Sequence, residues 1–312
     1  MTDILRERIH PELLAWYDAS PGFDFEHLET FVPQANAAEL AALREDPDVH
    51  VYEQIIPGSF DHPDLKIRIY EPTGRKELLP ASLFFHGGGF LFGSVYRQER
   101  MCQGYVKNVG CIMVSVEYRL APKWKYPAPI EDGYAALEWV YAHGAEIGVD
   151  HSRLALCGLS AGGTIVAAVA LLARDRKGPP LRLQMPLYAE LDCRMSYPSC
   201  REITSYKVWC YANNRTSWNQ YLDPDREVDG YASPGLCEDL SGLPPLFSYI
   251  GQLDPGRDEN IAFWTRMMQA GVDVEYHVFP GCYHCFELGS PNAAYSKNAY
   301  ALSYAALKRA FR

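Results

Sequence analysis

Ser160 sits in Gly158-Leu159-Ser160-Ala161-Gly162-Gly163, between the strand-like Arg153-Leu-Ala-Leu-Cys157 and a helical pattern that begins near Ala161. At a strand–turn–helix corner of the G-x-S-x-G type, glycines let the chain turn sharply without a clashing Cβ, which lifts the serine oxygen above the sheet. The helix N-terminus behind it supplies partial positive charge where an oxyanion would form. This is the chemistry of a serine attacking a carbonyl carbon. A serine that merely caps a helix would account for this run but not for a second one. His86-Gly87-Gly88-Gly89-Phe90 directly follows the strand-like Ala81-Ser-Leu-Phe-Phe85. Consecutive glycines cost backbone entropy, and they permit a loop whose N–H groups converge on one oxygen. Phosphate cradling would need a following Lys, which Phe90-Leu-Phe-Gly-Ser94 lacks. His86 precedes the glycines and reads as a residue that fixes the loop.

A serine hydroxyl is a poor nucleophile at its free pKa, so a base and an acid are required. Among the nine histidines, His10, His27, His50 and His62 are N-terminal, His143 lies near a helix end, and His277 is inside the strand-like run 274–279. His284 differs, because it lies in Pro280-Gly-Cys-Tyr-His284-Cys-Phe286, leaving the last strand ahead of the final helix. Asp254 holds the equivalent place after Pro245-Leu-Phe-Ser-Tyr-Ile-Gly251. The chain order Ser160, Asp254, His284 is the one such an arrangement demands. Asp258 is the close competitor for the acid. It falls in the first turn of an expected helix, where a carboxylate favours exposed N–H groups without any catalytic role.

The elements that must position these residues are legible in the periodicity. Runs rich in β-branched and aromatic residues occur at 49–56, 65–70, 81–85, 111–117, 153–157, 181–188, 245–250 and 274–279. Helical spacing lies between many of them, as in Ile165, Val166, Val169 and Leu172, or Ile261, Trp264 and Met268 closed by Gly271. Strands alternating with helices predict an α/β fold: a mostly parallel eight-stranded sheet flanked by helices. Two segments break the rhythm. Residues 1–48 read as short helices, and 190–225 is polar and aromatic, with Trp209, Tyr211, Trp218 and Tyr221. Both are expected to form a helical cap, leaving 49–189 and 226–312 as the catalytic core, since ligand sites of such sheets lie at the strands' carboxyl ends.

Composition narrows the function classes. The 312 residues are 48% hydrophobic and 22% charged, with a net charge of −10, which suits a globular domain and disfavours nucleic-acid binding. No apolar stretch approaches membrane-spanning length, and the N-terminus lacks a signal-peptide core, so a cytoplasmic protein without membrane association is expected. Nine cysteines are an odd number spread along a long chain, not a disulfide framework. Cys282 and Cys285 form an isolated CxxC without the partner pair a zinc or redox site would need.

Several motifs together resemble one family, the bacterial hormone-sensitive-lipase-like carboxylesterases of the α/β-hydrolase fold. They are His86-Gly-Gly-Gly-Phe90, Glu117-Tyr-Arg-Leu-Ala-Pro122, Tyr126-Pro-Ala-Pro129, Gly158-Leu-Ser-Ala-Gly-Gly163, Ser241-Gly-Leu-Pro-Pro245, Asp254-Pro-Gly-Arg-Asp258 and His284. The resemblance implies a triad of Ser160, Asp254 and His284, and oxyanion-hole N–H groups on Gly88, Gly89 and Ala161. It also implies a small-molecule ester substrate of short to medium acyl chain, no metal or organic cofactor, and a homodimer. Leu159 departs from the family, which commonly has an acidic residue there, and Gly256 replaces a commonly larger apolar one. The same triad would serve an amidase, a deacetylase or a lactonase. A ligand-binding protein on a retired hydrolase scaffold is the alternative of another class, and it would be expected to have lost a triad member.

Overall fold

The computed structural model describes residues 4–23, 25, 27–58 and 64–312. Residues 1–3, 24 and 26 of the expected cap, and His62, lie outside the described residues.

All eight expected strands form, as β1 (Val49–Ile56), β2 (Leu65–Pro72), β3 (Leu79–Phe85), β4 (Ile112–Val116), β5 (Val149–Leu159), β6 (Leu183–Leu187), β7 (Leu246–Leu253) and β8 (Val274–Tyr283). They make one sheet in the order β1-β2-β4-β3-β5-β6-β7-β8. The pairs β1–β2 and β2–β4 are antiparallel, and every pairing from β4 across to β8 is parallel. The central strands β4 and β6 are buried along their whole length, as covering on both faces requires. At the edge, β1 buries only Val49 and Ile56.

The helices are α1 (Ile4–Arg8), α2 (Leu14–Ala19), α3 (Leu28–Ala41), α4 (Glu99–Val109), α5 (Ala128–His143), α6 (Ala161–Asp175), α7 (Pro198–Glu202), α8 (Tyr211–Tyr221), α9 (Arg257–Gln269), α10 (Phe286–Gly289) and α11 (Ala294–Ala310). Helix α4 packs against α11, and α5 against α6. Along α6, Ile165, Val166, Val169 and Leu172 are all buried. The reading of α9 needs one correction. Its inner face is Phe263, Trp264 and Met267, while Met268 is 44% exposed, because four residues from Trp264 the helix has turned past the sheet.

Segments 1–48 and 190–225 touch each other. Phe23 and Phe25 pack edge-on against Trp209, with ring centroids 5.9 and 5.2 Å apart. The Phe23 N–H donates to the Tyr206 carbonyl at 2.9 Å, and the Ser20 hydroxyl donates to the Lys207 carbonyl at 2.7 Å.

Candidate active site

Strand register brings the site together. Phe85 of β3 pairs with Gly158 of β5, so the glycine loop and the serine corner leave the sheet side by side. Strand β3 lies between β4 and β5, where chain progression reverses, and such a switch point opens a crevice at the strands' carboxyl ends. Leu253 of β7 pairs with Tyr283 of β8, so the next residue on each strand, Asp254 and His284, emerges beside the other. Strand β7 therefore runs two residues past Gly251, where the sequence pattern ended it, and delivers Asp254 directly.

Ser160 has φ 55° and ψ −122°, a conformation uncommon for a side-chain-bearing residue and typical of a nucleophile corner. The close approach beneath it explains one glycine. A Cβ on Gly162 would come within 2.1 Å of the Phe85 carbonyl oxygen, so only glycine lets α6 start this near β3. Gly88, at φ 134°, has the same constraint from the Phe92 carbonyl oxygen, which would lie 1.9 Å from a Cβ.

The three expected triad residues converge. His284 Nε2 lies 2.9 Å from Ser160 Oγ, and His284 Nδ1 lies 2.7 Å from Asp254 Oδ2. The carboxylate only accepts, so Nδ1 carries the proton and Nε2 is free to accept from the serine hydroxyl. Asp254 Oδ1 accepts the Gly256 N–H at 2.8 Å, which fixes the carboxylate with a backbone group. Trp209 stacks on the imidazole at 5.9 Å, and the Tyr188 ring meets it edge-on at 5.0 Å. Burial disfavours the imidazolium, but the Asp254 carboxylate and the neighbouring Cys285 outweigh it and hold His284 above its ordinary value.

Asp258 takes no part in this relay. Its Oδ2 accepts the Ser199 N–H at 2.9 Å and its Oδ1 accepts from Arg257 Nε at 2.7 Å. It ties α9 to α7. Among the expected oxyanion donors, Gly88 lines a cavity with Ser160 and His284, and Ala161 is the first residue of α6, immediately after Ser160. Gly89 packs against Trp209 and Ser217, whose side-chain atoms stand 2.6 and 2.4 Å from where its Cβ would be.

His86 holds the glycine loop from beneath. It is buried, and its Nδ1 approaches the Gly87 carbonyl at 2.9 Å. Tyr118 stacks on it at 4.2 Å and donates its hydroxyl to the His86 carbonyl at 2.7 Å. Burial depresses this imidazole to about 3, so it is a neutral structural group. The next residue of the same motif, Arg119, forms a buried pair with Asp132 at 2.6 Å.

The cavity above Ser160 measures about 240 Å³. Trp16, Phe23, Phe92, Trp209 and Leu288 give it apolar walls, and Arg97 and Gln98 contribute polar groups. Leu159, which departs from the family pattern, also lines it. Cys285 borders the cavity next to His284, and all nine cysteines are free thiols. Among the described residues, no cluster of His, Cys, Asp and Glu has the makings of a metal site, and no helix is long and apolar enough to cross a membrane.

One carboxyl at the site escaped sequence reasoning. Glu190 follows the end of β6 and its Oε1 lies 3.3 Å from Ser160 Oγ. Its signal was faint, a single acid in Ala189-Glu190-Leu191 at the boundary of the aromatic segment. An acidic side chain near the serine, absent at Leu159, arrives instead from the segment after β6.

Comparison with known proteins supplies the family. A family model described as alpha/beta hydrolase fold matches residues 82–288. Esterase LipI of Mycobacterium tuberculosis is 35% identical over 286 residues, spanning 86% of this chain and 85% of that protein. Carboxylesterase NlhH of the same organism is 36% identical over 278 residues, spanning 85% and 84%. Among solved structures, one titled bacterial heroin esterase aligns with a TM-score of 0.94 at 36% identity, covering 98% of this chain and 99% of that one. With the sharp turn at Ser160, the glycine loop and these relatives together, the chain belongs to the α/β-hydrolase fold family, in its bacterial hormone-sensitive-lipase-like carboxylesterase branch.

Proposed function

We propose that the protein hydrolyses carboxylic esters of short acyl chains through an acyl-Ser160 intermediate. The observation that carries this reading is the Ser160–His284–Asp254 relay, at 2.9 and 2.7 Å, set on a cavity of about 240 Å³. His284 takes the Ser160 proton as the oxygen attacks the ester carbonyl, and Asp254 orients the imidazole and stabilises its cation. The N–H groups of Gly88, Gly89 and Ala161 stabilise the tetrahedral oxyanion. His284 then protonates the leaving alcohol, and water releases the acid by the same route. The cavity lies below the usual ~300–1,000 Å³ of ligand pockets, which favours acetate and propionate esters over long chains. Segments 1–48 and 190–225 act as a cap, and Trp209 gives that cap a direct contact with the imidazole.

Several relatives are named esterases or carboxylesterases, and another, the arylacetamide deacetylase of Bos taurus, is 28% identical over 297 residues. Anilides therefore belong in the test. A series of p-nitrophenyl esters from acetate to palmitate, run beside acetanilides, should give kcat/KM falling with chain length and esters well above amides. A fluorophosphonate probe should label Ser160 stoichiometrically. No labelling of Ser160, or turnover confined to amides, would overturn the reading.

A further inference from the structure

Glu190 is a buried acid that the triad mechanism does not use. It is 2% exposed, and its Oε2 is buried with no hydrogen-bond partner. Its backbone carbonyl accepts from the Thr164 hydroxyl of α6, which pins the residue beneath the nucleophile corner. Ser160 has one proton and two neighbours for it, His284 Nε2 at 2.9 Å and Glu190 Oε1 at 3.3 Å. The shorter contact to the base takes the serine proton. The remaining contact is then oxygen to oxygen, and only a proton on Glu190 makes it a hydrogen bond. An ionised carboxylate would moreover leave a charged oxygen buried and unpartnered, at high cost.

We propose that Glu190 is a further catalytic residue: a neutral carboxylic acid that donates to Ser160 Oγ and assists departure of that oxygen when the acyl-enzyme breaks down. The role rests on Ser160 being the nucleophile. In deacylation, His284 takes a proton from water, and the hydroxyl adds to the acyl carbon. When the tetrahedral intermediate collapses, the bond from carbon to Oγ breaks and its electron pair passes to Oγ. His284 returns its proton to that oxygen. Glu190 keeps its own proton throughout and contributes a hydrogen bond that shortens as charge builds on Oγ. In acylation, Oγ instead gives up electron density to the carbonyl carbon, so the same donor helps little there.

Electrostatics around the group agree. Burial holds the Glu190 proton up to about 8, with His284 and the Ser160 contact opposing and Asp254 assisting. The other ionisable groups that feel it are Glu259 from α9 and Tyr118 after β4, and burial raises both. Loss of the Glu190 proton would set a negative charge against the developing charge on Oγ, so turnover should fall on the alkaline side.

The test is p-nitrophenyl acetate hydrolysis from pH 5 to 10 by the full chain, its Glu190→Gln and its Glu190→Ala variants, with thermal midpoints to establish folding. Wild-type kcat is expected to fall again near pH 8. Glu190→Gln keeps an N–H donor that does not titrate, so it should lose this alkaline limb and retain kcat at pH 7 within about tenfold. Glu190→Ala should lower kcat by about 10- to 100-fold, the range for a hydrogen bond to a developing charge. The loss should fall on deacylation, so rapid quenching and mass spectrometry should find acetyl-Ser160 accumulating. An unchanged alkaline limb in Glu190→Gln, or equal slowing of acylation and deacylation in Glu190→Ala, would overturn the role of Glu190 alone. A wild type that forms no acyl-Ser160 would bring down the nucleophile reading and this one with it.

Discussion

Glu190→Gln should also change how stability depends on pH, by an amount that can be worked from the structure without reference to activity. The substitution keeps the shape of a side chain that is 2% exposed and removes its titration. In the folded protein, burial keeps the carboxyl protonated to about 8, whereas an ordinary glutamate loses its proton at 4.5. Between these values the folded state binds more protons than the unfolded state, so this group makes stability fall as pH rises. The penalty is absent below pH 4.5, where the group is neutral in both states, and complete above pH 8. At about 1.4 kcal/mol per pH unit it reaches about 5 kcal/mol. A chain of 312 residues has an unfolding entropy near 0.65 kcal/mol/K, roughly, so the penalty corresponds to about 7 °C in Tm. Glu259 and Glu287, also buried and raised, remain in both proteins and cancel from the difference. Urea denaturation and thermal scans of both proteins from pH 5 to 8.5 measure it. The variant should gain steadily on the wild type over that range. A stability difference that is constant with pH would refute the buried, protonated state of Glu190.

Three further outcomes follow from the site. Ser160→Ala should leave the far-ultraviolet circular dichroism unchanged and cut ester turnover to the residual ~10³–10⁴-fold catalysis over water that serine hydrolases keep without the nucleophile; near-native turnover would end the assignment. Asp254→Asn should lower kcat by about 10⁴-fold. Asp258→Asn, whose carboxylate is 24% exposed and holds Ser199 and Arg257, should cost only about 1 kcal/mol of stability, and a large kcat loss confined to it would reverse the two roles. Because Asp254 holds His284 above its ordinary value, kcat/KM should rise with pH along a limb above the usual histidine ~6.5. Asp254→Asn should move that limb down, and a rate flat from pH 5 to 8 would remove His284 as the base.

Much of the fold was legible because local patterns and tertiary demands agree. Buried parallel strands need continuous apolar runs, and Ser82-Leu-Phe-Phe85 and Ile112-Met-Val-Ser-Val116 are such runs. The convergence of Ser160, Asp254 and His284 was legible for a related reason: each follows a strand, and chain order restricts which loop carries which residue. Errors arose where periodicity had to set a fine boundary. Pattern alone ended β7 at Gly251, since Gln252 is polar, yet the pairing of Leu253 with Tyr283 extends it. Met268 has the right spacing for an inner face but lies where α9 rolls away from the sheet, with 44% of its surface exposed.

By itself, the sequence determined the strand count, the sharp turn at Ser160, the glycine loop and the chain order of Ser160, Asp254 and His284. These depend on backbone allowances and apolar runs, which neighbouring residues specify. Tertiary structure alone decided distance and environment. Register between β7 and β8 set Asp254 at 2.7 Å from His284, and a close approach of chain segments 30 residues apart set Glu190 against Ser160. The protonation of that glutamate belongs to the same class of fact. A carboxyl's charge depends on the water removed from around it and on which side chains replace that water, and both are fixed only when distant strands meet.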